Sequence, residues 1–358
     1  MDIPQPAHPA HPRQGAASPA APAAETWKLA LRYAVRAPSG HNTQPWRFEI
    51  DHGVLHLYAD RSRRLPVVDP ADRALVISCG AALGHLLVAV RHFGHAGEVT
   101  AFPDPGDHDL LATVELGPAR TPPPGDHQLF EAIDQRHTHR AAFGARGVPG
   151  TVLAQLAAET RRHGATVSVV TGEKDQAALD VIADLVAEGD RAQFADADFR
   201  RELAAWMRPN RTRRPDGIPG YALGIADLPS VLAPKLIAAV NTGSTQARKD
   251  EQLARTAPAL VLLSTAHDTP ADWLSAGHAL AILLLRATAD GLCASFLNQP
   301  IEVPALRVRL RDLVPDGPYP QLLLRIGHAP NDQPTVKATP RRPVADVLTD
   351  TTTTAASP

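Results

Sequence analysis

SGHNTQPWRF, residues 39–48, lies between two segments of different period. Ahead of it, TWKLALRYAVR (26–36) has helical spacing, and Pro38 closes that helix near Ala37 by disfavouring the α conformation in the residue before it. Behind it, WRFEIDHGVLHLYAD (46–60) alternates apolar and polar residues around Asp51-His52-Gly53, which predicts a hairpin. The loop between them concentrates Pro38, Ser39, Gly40, Asn42 and Gln44. Gly40 has no Cβ, so a flat ligand can approach its backbone. Asn42 and Gln44 each carry donors and acceptors, which suits the mixed edge of a pyrimidine-like ring. The same residues also read as a helix-to-strand loop with a self-bonded Asn. Trp46 reads as a core residue.

Further along, Asp69-Pro70 with Asp72 predicts a helix start, and that helix runs to about His92 and stops at Gly94. LLATVEL (110–116) reads as a strand and ARTPPPGD (119–126) as a linker. Then come the helix HQLFEAIDQR, the run HTHRAAFG, the helix GTVLAQLAAETRRHG and the strand ATVSVVT. A mostly helical insertion covers about 185–255 and contains MRPNRTRRPDGIPGYALG. PALVLLST reads as a strand. Thr269-Pro270 with Asp272 opens a helix that is apolar nearly all round and therefore central. CASFLNQPI, PQLLLRIG and TPRRP follow. Residues 80–99 align without gaps on 277–296, matching Gly80 with Gly277, Leu83 with Leu280, Leu86 with Leu283 and Gly94 with Gly291. That points to a duplicated unit.

The 358 residues are 44% apolar with a net charge of −2, so a packed core is expected and no case for nucleic acid arises. Cys79 and Cys293 give neither a CxxC pair nor a disulfide framework, which fits a reducing cytoplasm. No apolar run reads as spanning a bilayer. Residues 1–24 and 349–358 read as disordered tails. GxGxxG after a strand, GxxxxGK[ST], HExxH and GxSxG are all missing, which argues against a stably bound nicotinamide on a Rossmann unit.

APSGHNTQPWRF (37–48) resembles the loop of the nitroreductase superfamily of FMN oxidoreductases, and especially its Acg-type subfamily, which carries two nitroreductase-like halves in one chain. The long segment from Ala271 to Val314 and YPQLLLRIGHAP resemble that family's central helix and closing strand. The resemblance implies an α+β, nitroreductase-like fold: two pseudo-symmetric α/β halves with antiparallel-rich sheets around long central helices. It divides the ordered chain at 25–118 and 127–348, joined by the linker 119–126. It also implies one FMN per chain, NAD(P)H as a transient reductant and a small flat acceptor such as a nitroaromatic or quinone. No nucleic acid or membrane partner is expected. A monomeric pseudo-dimer is expected to suffice, with a homodimer left open.

Residue by residue, the resemblance assigns cofactor contacts to Pro38, Ser39, Gly40, Asn42 and Gln44 from the first half. Arg136, His137, Thr138 and Arg140 resemble the family's basic run, and Arg341 and Arg342 its C-terminal pair. FLNQPIE (296–302) resembles the segment beside the flavin's reactive nitrogen, where a backbone N–H is used; Gln299, Pro300 and Ile301 are the candidates. A phosphate needs charge-assisted donors, and arginine supplies bidentate ones. Those arginines converge only if the fold brings positions 136 and 341 together. Arg146, Arg161 and Arg162 read as solvated charges. His137 and His139 alternate as ligands would, yet with no Asp, Glu or Cys nearby no metal is expected. With chemistry borne by the cofactor, no catalytic side chain is assigned. Residues 202–224 resemble the Acg-type lid, and a covered flavin face motivates a rival reading: a non-catalytic FMN-sequestering protein.

Overall fold

The computed structural model describes residues 20–313, 319–330 and 337–351. The chain opens with helix α1 (Ala20–Ala34), the hairpin β1 (Trp46–Asp51) and β2 (Val54–Ala59), helix α2 (Arg73–His92), β3 (His95–Ala101) and β4 (Leu110–Ala119). Helices α3 (Asp126–Gln135) and α4 (Gly150–Arg161) lead to β5 (Thr166–Val170). An excursion then holds α5 (Gln176–Ala195), α6 (Ala197–Trp206), the short pair β6 (Met207–Arg208) and β7 (Ile218–Pro219), α7 (Asp227–Ala239) and α8 (Gly243–Arg255). The chain returns through β8 (Ala259–Thr265), α9 (Pro270–Ala289), β9 (Cys293–Phe296), α10 (Gln299–Glu302), α11 (Pro304–Asp312) and β10 (Tyr319–Gly327), and ends in β11 (Leu348–Asp350).

The strands form two main sheets, ordered β11-β1-β2-β4-β3 and β5-β8-β10-β9. Without β11 the orders are the same: a strand pairs antiparallel with the next, a central helix follows, and the last two strands cross over. The duplication expected from residues 80–99 and 277–296 is therefore present in the topology.

The two central helices pack against each other, and their glycines show why that is possible. A Cβ on Gly80 would lie 2.2 Å from the Leu274 carbonyl oxygen, and one on Gly277 would lie 2.0 Å from that of Ile77. Each glycine thus meets the residue three before its counterpart, as a two-fold axis through the crossing requires. A buried network ties the halves again at the start of α2. Arg73 Nη1 donates to the Gln321 carbonyl (2.7 Å), Gln321 donates to Asp268 (3.0 Å), and Arg307 grips Asp268 with two bonds of 2.8 and 2.9 Å.

The expected elements around the loop are present: the hairpin turns at His52-Gly53, and α9 begins in a capping box of Thr269 and Asp272. Trp46 is fully buried, as its core reading requires.

Several features differ from the sequence reading. Helix α1 begins at Ala20, inside the stretch expected to be a tail; residues 1–19 and 352–358 lie outside the described residues. Helix α2 begins at Arg73, because the Asp69 carboxylate accepts the Leu75 N–H (2.9 Å) and places the cap three residues later than Pro70 implies. Strand β11 joins β1 in parallel, so Thr349 and Asp350 are sheet residues. Finally, α2 has the length and mean hydropathy (1.8) of a membrane-crossing helix, although 94% of that window is buried inside the fold. A central helix covered on every side needs no polar face.

Candidate functional site

After α1 the backbone turns through Gly40–Asn42, and the Ser39 hydroxyl accepts the Gln44 N–H (2.9 Å). His41, Asn42 and Gln44 all hold positive φ, at 47°, 55° and 53°. Each such residue costs about 1–2 kcal/mol, so the loop persists only because its side chains are tied. Gly40 is exposed, donates to Ser78 Oγ on α2 (3.4 Å), and has only Leu65 at 3.4 Å from a hypothetical Cβ. Protein packing alone does not require glycine there. Pro38 is half-buried at the helix end.

The two side-chain amides do not present free edges; each is bonded within the protein. Asn42 Nδ2 donates to the carbonyls of Gly217 (2.9 Å) and Pro340 (3.1 Å), while Arg341 donates to its Oδ1 (3.0 Å). Gln44 Nε2 donates to the Pro215 carbonyl (2.8 Å), and its Oε1 accepts the Arg342 N–H (2.7 Å). Both side chains thus clamp three distant segments: the loop, the 339–343 strap and the excursion. Positions 42 and 341, far apart in sequence, do meet.

Around this clamp sit three guanidiniums on which no carboxylate among the described residues acts: Arg136, Arg140 and Arg341. Burial and then Arg140 lower Arg136 to about 10. Burial and then Arg136 lower Arg341 to about 9. Burial also lowers Arg140, which donates to the Ala222 carbonyl (3.3 Å). The Nε atoms of Arg136 and Arg341 are buried and unpartnered. Two histidines join them. Burial and Arg140 push His41 down to about 4. His85 on α2 falls well below its usual range through burial, Arg136 and Arg341, which outweigh a long contact with the Tyr33 backbone. Half-buried charges that repel one another favour an anion between them, so the donor set suits a phosphate. Arg342 does not belong to this set. Its guanidinium donates to the carbonyls of Gln44 (3.2 Å) and Asp346 (2.7 Å) and lies 3.5 Å from Asp60.

The excursion closes directly on the site. Gly217 returns its N–H to the Asn42 carbonyl (3.2 Å), and Tyr221 Oη donates to the Ala338 carbonyl (2.9 Å). Asp216 anchors the segment between Arg63 (2.6 Å) and Arg208 (3.1 Å). Burial pushes its carboxyl up, but the two arginines outweigh that and hold it below its usual value.

Gln299, Pro300 and Ile301 lie elsewhere in the fold's bonding. Pro300 and Ile301 are buried, and the Gln299 side chain donates to Asp190 (3.3 Å) on α5 and Asp250 (2.9 Å) on α8. Pro300 has no N–H to give, and the Ile301 N–H is taken by the Asn298 carbonyl (2.8 Å). Of the three, only the Gln299 N–H, at the first position of α10, has no partner within its helix. Among the described residues no hydrogen bond links this segment to Asn42 or to Arg136, Arg140 and Arg341. The surrounding carboxyls form an acid pair that the sequence does not reveal. Asp190 is pushed up to about 8 by burial and the Asp250 charge.

Two parts of the basic run also turn away. Thr138 forms a bridge with Ala294, and His137 Nδ1 meets the Gln135 carbonyl (3.1 Å). The absence of a nearby cysteine holds only along the sequence: folding sets Cys293 beside His137 and His139, with one ligand atom of each within 4.8 Å of the others. His41, His85 and Tyr221 escaped the sequence reading. His85 left a signal, as a lone ring nitrogen pair in the apolar run AALGHLLVAV.

Residues 133–327 match the family described as "Nitroreductase family". Across 326 residues the chain is 36% identical to a Mycobacterium tuberculosis protein named "Putative NAD(P)H nitroreductase Rv3131", covering 91% of each chain. This chain belongs to the nitroreductase family. It is also 31% identical to "Putative NAD(P)H nitroreductase acg" of the same organism, covering 90% of this chain and 94% of that one. A crystal structure of the FMN-dependent nitroreductase NfnB from Mycobacterium smegmatis, in complex with NADPH, aligns at 18% identity. Its TM-score is 0.40, over 62% of this chain and 96% of that one; at that score the overlay carries no weight on function.

Proposed function

We propose that this nitroreductase-family chain is an FMN-dependent oxidoreductase that takes hydride from NAD(P)H and passes it to a flat acceptor such as a nitroaromatic or quinone. The observation that carries the reading is the group of three guanidiniums, Arg136, Arg140 and Arg341, with no carboxylate among the described residues acting on them, gathered beside the 38–44 loop from distant parts of the chain. Relatives named NAD(P)H nitroreductase supply the reductant in this reading. Arg136, Arg140 and Arg341 would hold the FMN phosphate, with His41 and His85 as neutral donors beside it. FMN supplies the hydride chemistry when bound. Asn42 and Gln44 keep the strap and the excursion in register, and the Pro215–Ala222 segment excludes water. Because both ends of the site belong to one chain, a single chain suffices for one FMN.

Purified protein should be yellow after incubation with FMN, and NAD(P)H should bleach that colour. A colourless preparation with excess FMN would sink the assignment. The second reading, FMN sequestration, rests on the reciprocal Asn42–Gly217 bonding that seals the excursion over the site. Flavin that binds tightly yet stays oxidised under NADH and NADPH alike would select it.

A further inference from the structure

The geometry points to a second, separate site: we propose that His137, His139 and Cys293 bind a thiophilic divalent cation, with Zn²⁺ the ion they fit. The site is built by backbone pairing. Thr138 bridges Ala294, and the His139 N–H donates to the Ala294 carbonyl (2.9 Å), so residues 137–139 run extended beside β9. Residues two apart on an extended segment project to one side, and Cys293 immediately precedes the bridged Ala294. One ring nitrogen of each histidine and the Cys293 sulfur consequently lie within 4.8 Å of one another.

Both imidazoles are already oriented. His137 Nδ1 faces the Gln135 carbonyl (3.1 Å), and His139 Nε2 faces the Ala142 carbonyl (3.1 Å). A ring nitrogen facing a carbonyl carries the proton, which leaves the other nitrogen with its lone pair for a metal. Phe143 stacks on His139 at 5.2 Å and fixes the ring plane. Two nitrogens and one thiolate are a Zn²⁺ donor set with a fourth position open. The edges of such a tetrahedron are about 3.5 Å, so small side-chain rotations must draw the three atoms together.

Charge decides which ion is accepted. Arg325 donates to the His139 carbonyl (3.0 Å) and lies over the Phe143 ring, so a hard cation held by neutral ligands meets a repelling neighbour. A thiolate removes one unit of that charge, and the Cys293 proton leaves to solvent on binding. The site uses no residue of the guanidinium cluster and does not depend on FMN.

The test is to strip the full chain with a chelator and titrate it with Co²⁺, then with Zn²⁺. We expect one Co²⁺ per chain with a sulfur-to-cobalt charge-transfer band, displaced by Zn²⁺. Cys293→Ser should abolish the band, and His139→Ala should weaken binding by roughly tenfold or more. A titration without the band overturns the site, including one in which other histidines bind cobalt without sulfur. A band that survives in folded Cys293→Ser does so equally. Should that variant fail to fold, alkylation of the wild type decides. Zn²⁺ should slow modification of Cys293 by about tenfold, with Cys79 fully buried and silent; an unchanged rate overturns the proposal.

Discussion

The two halves follow one plan and differ at one joint. In the first, β1 and β2 are joined by the tight turn at His52-Gly53. In the second, the equivalent strands β5 and β8 are joined by residues 171–258, which hold α5 to α8. The loops ahead of the first strands differ as well. The first half carries Ser39-Gly40-His41-Asn42 there; the second carries Arg162-His163-Gly164, where His163 merely packs on His278 (4.3 Å). In the proposed reading, a duplicated scaffold keeps one site and uses the other half to cover it.

Breaking the axis between the halves should have the largest effect. Gly277→Ala puts a methyl 2.0 Å from the Ile77 carbonyl oxygen, so the helices must separate. We expect a loss of about 3 kcal/mol or more, read as a collapse of the thermal transition. Next is the asymmetry of the site. Arg341→Ala should weaken FMN retention by about ten- to a hundredfold, the worth of one or two charge-assisted bonds. Arg162→Ala, at the equivalent joint of the second half, should leave retention unchanged. Equal effects in the two variants would contradict a single-site chain.

The cover itself is sharpened by Asp216→Ala, which removes the anchor to Arg63 and Arg208. NAD(P)H oxidation should rise several-fold if the segment gates access, at a stability cost of roughly 1–3 kcal/mol for the lost charge-assisted bonds, with Arg63 and Arg208 keeping their carbonyl partners. The smallest effect is a pH dependence. Asp190, raised from 3.8 to about 8, stays protonated in the fold while the unfolded chain ionises. Its contribution therefore falls as pH rises between those values and is flat above them. Asp190→Asn should lose less Tm than the wild type between pH 5 and pH 8; parallel curves would refute this role.

Elements with local signatures were legible: the Asp-His-Gly turn, the Thr-Pro-x-Asp start of α9, and Trp46 in an alternating strand. β3 was not, because HAGEVTA is largely exposed and lacks an apolar face. β11 was not, because its partner lies some three hundred residues away and nothing local encodes the pairing. At the site, residue types were legible through the family resemblance, and the meeting of positions 42 and 341 followed from it. The bonding was not. Whether the Asn42 and Gln44 amides stay free depends on the excursion and the strap, which reach them only in the folded chain. The same holds for Cys293 beside His137 and His139, and for Arg342, drawn off by Asp60.

The pairing of Phe48 with Leu348 sets an order of events during synthesis. A ribosome exposes β1 long before it makes the strand that completes that sheet. The guanidinium of Arg341 emerges just as late. A product interrupted before β11 would thus leave a β1 edge open and lack Arg341 of the proposed phosphate cradle, so FMN uptake is expected to report that synthesis has passed residue 341.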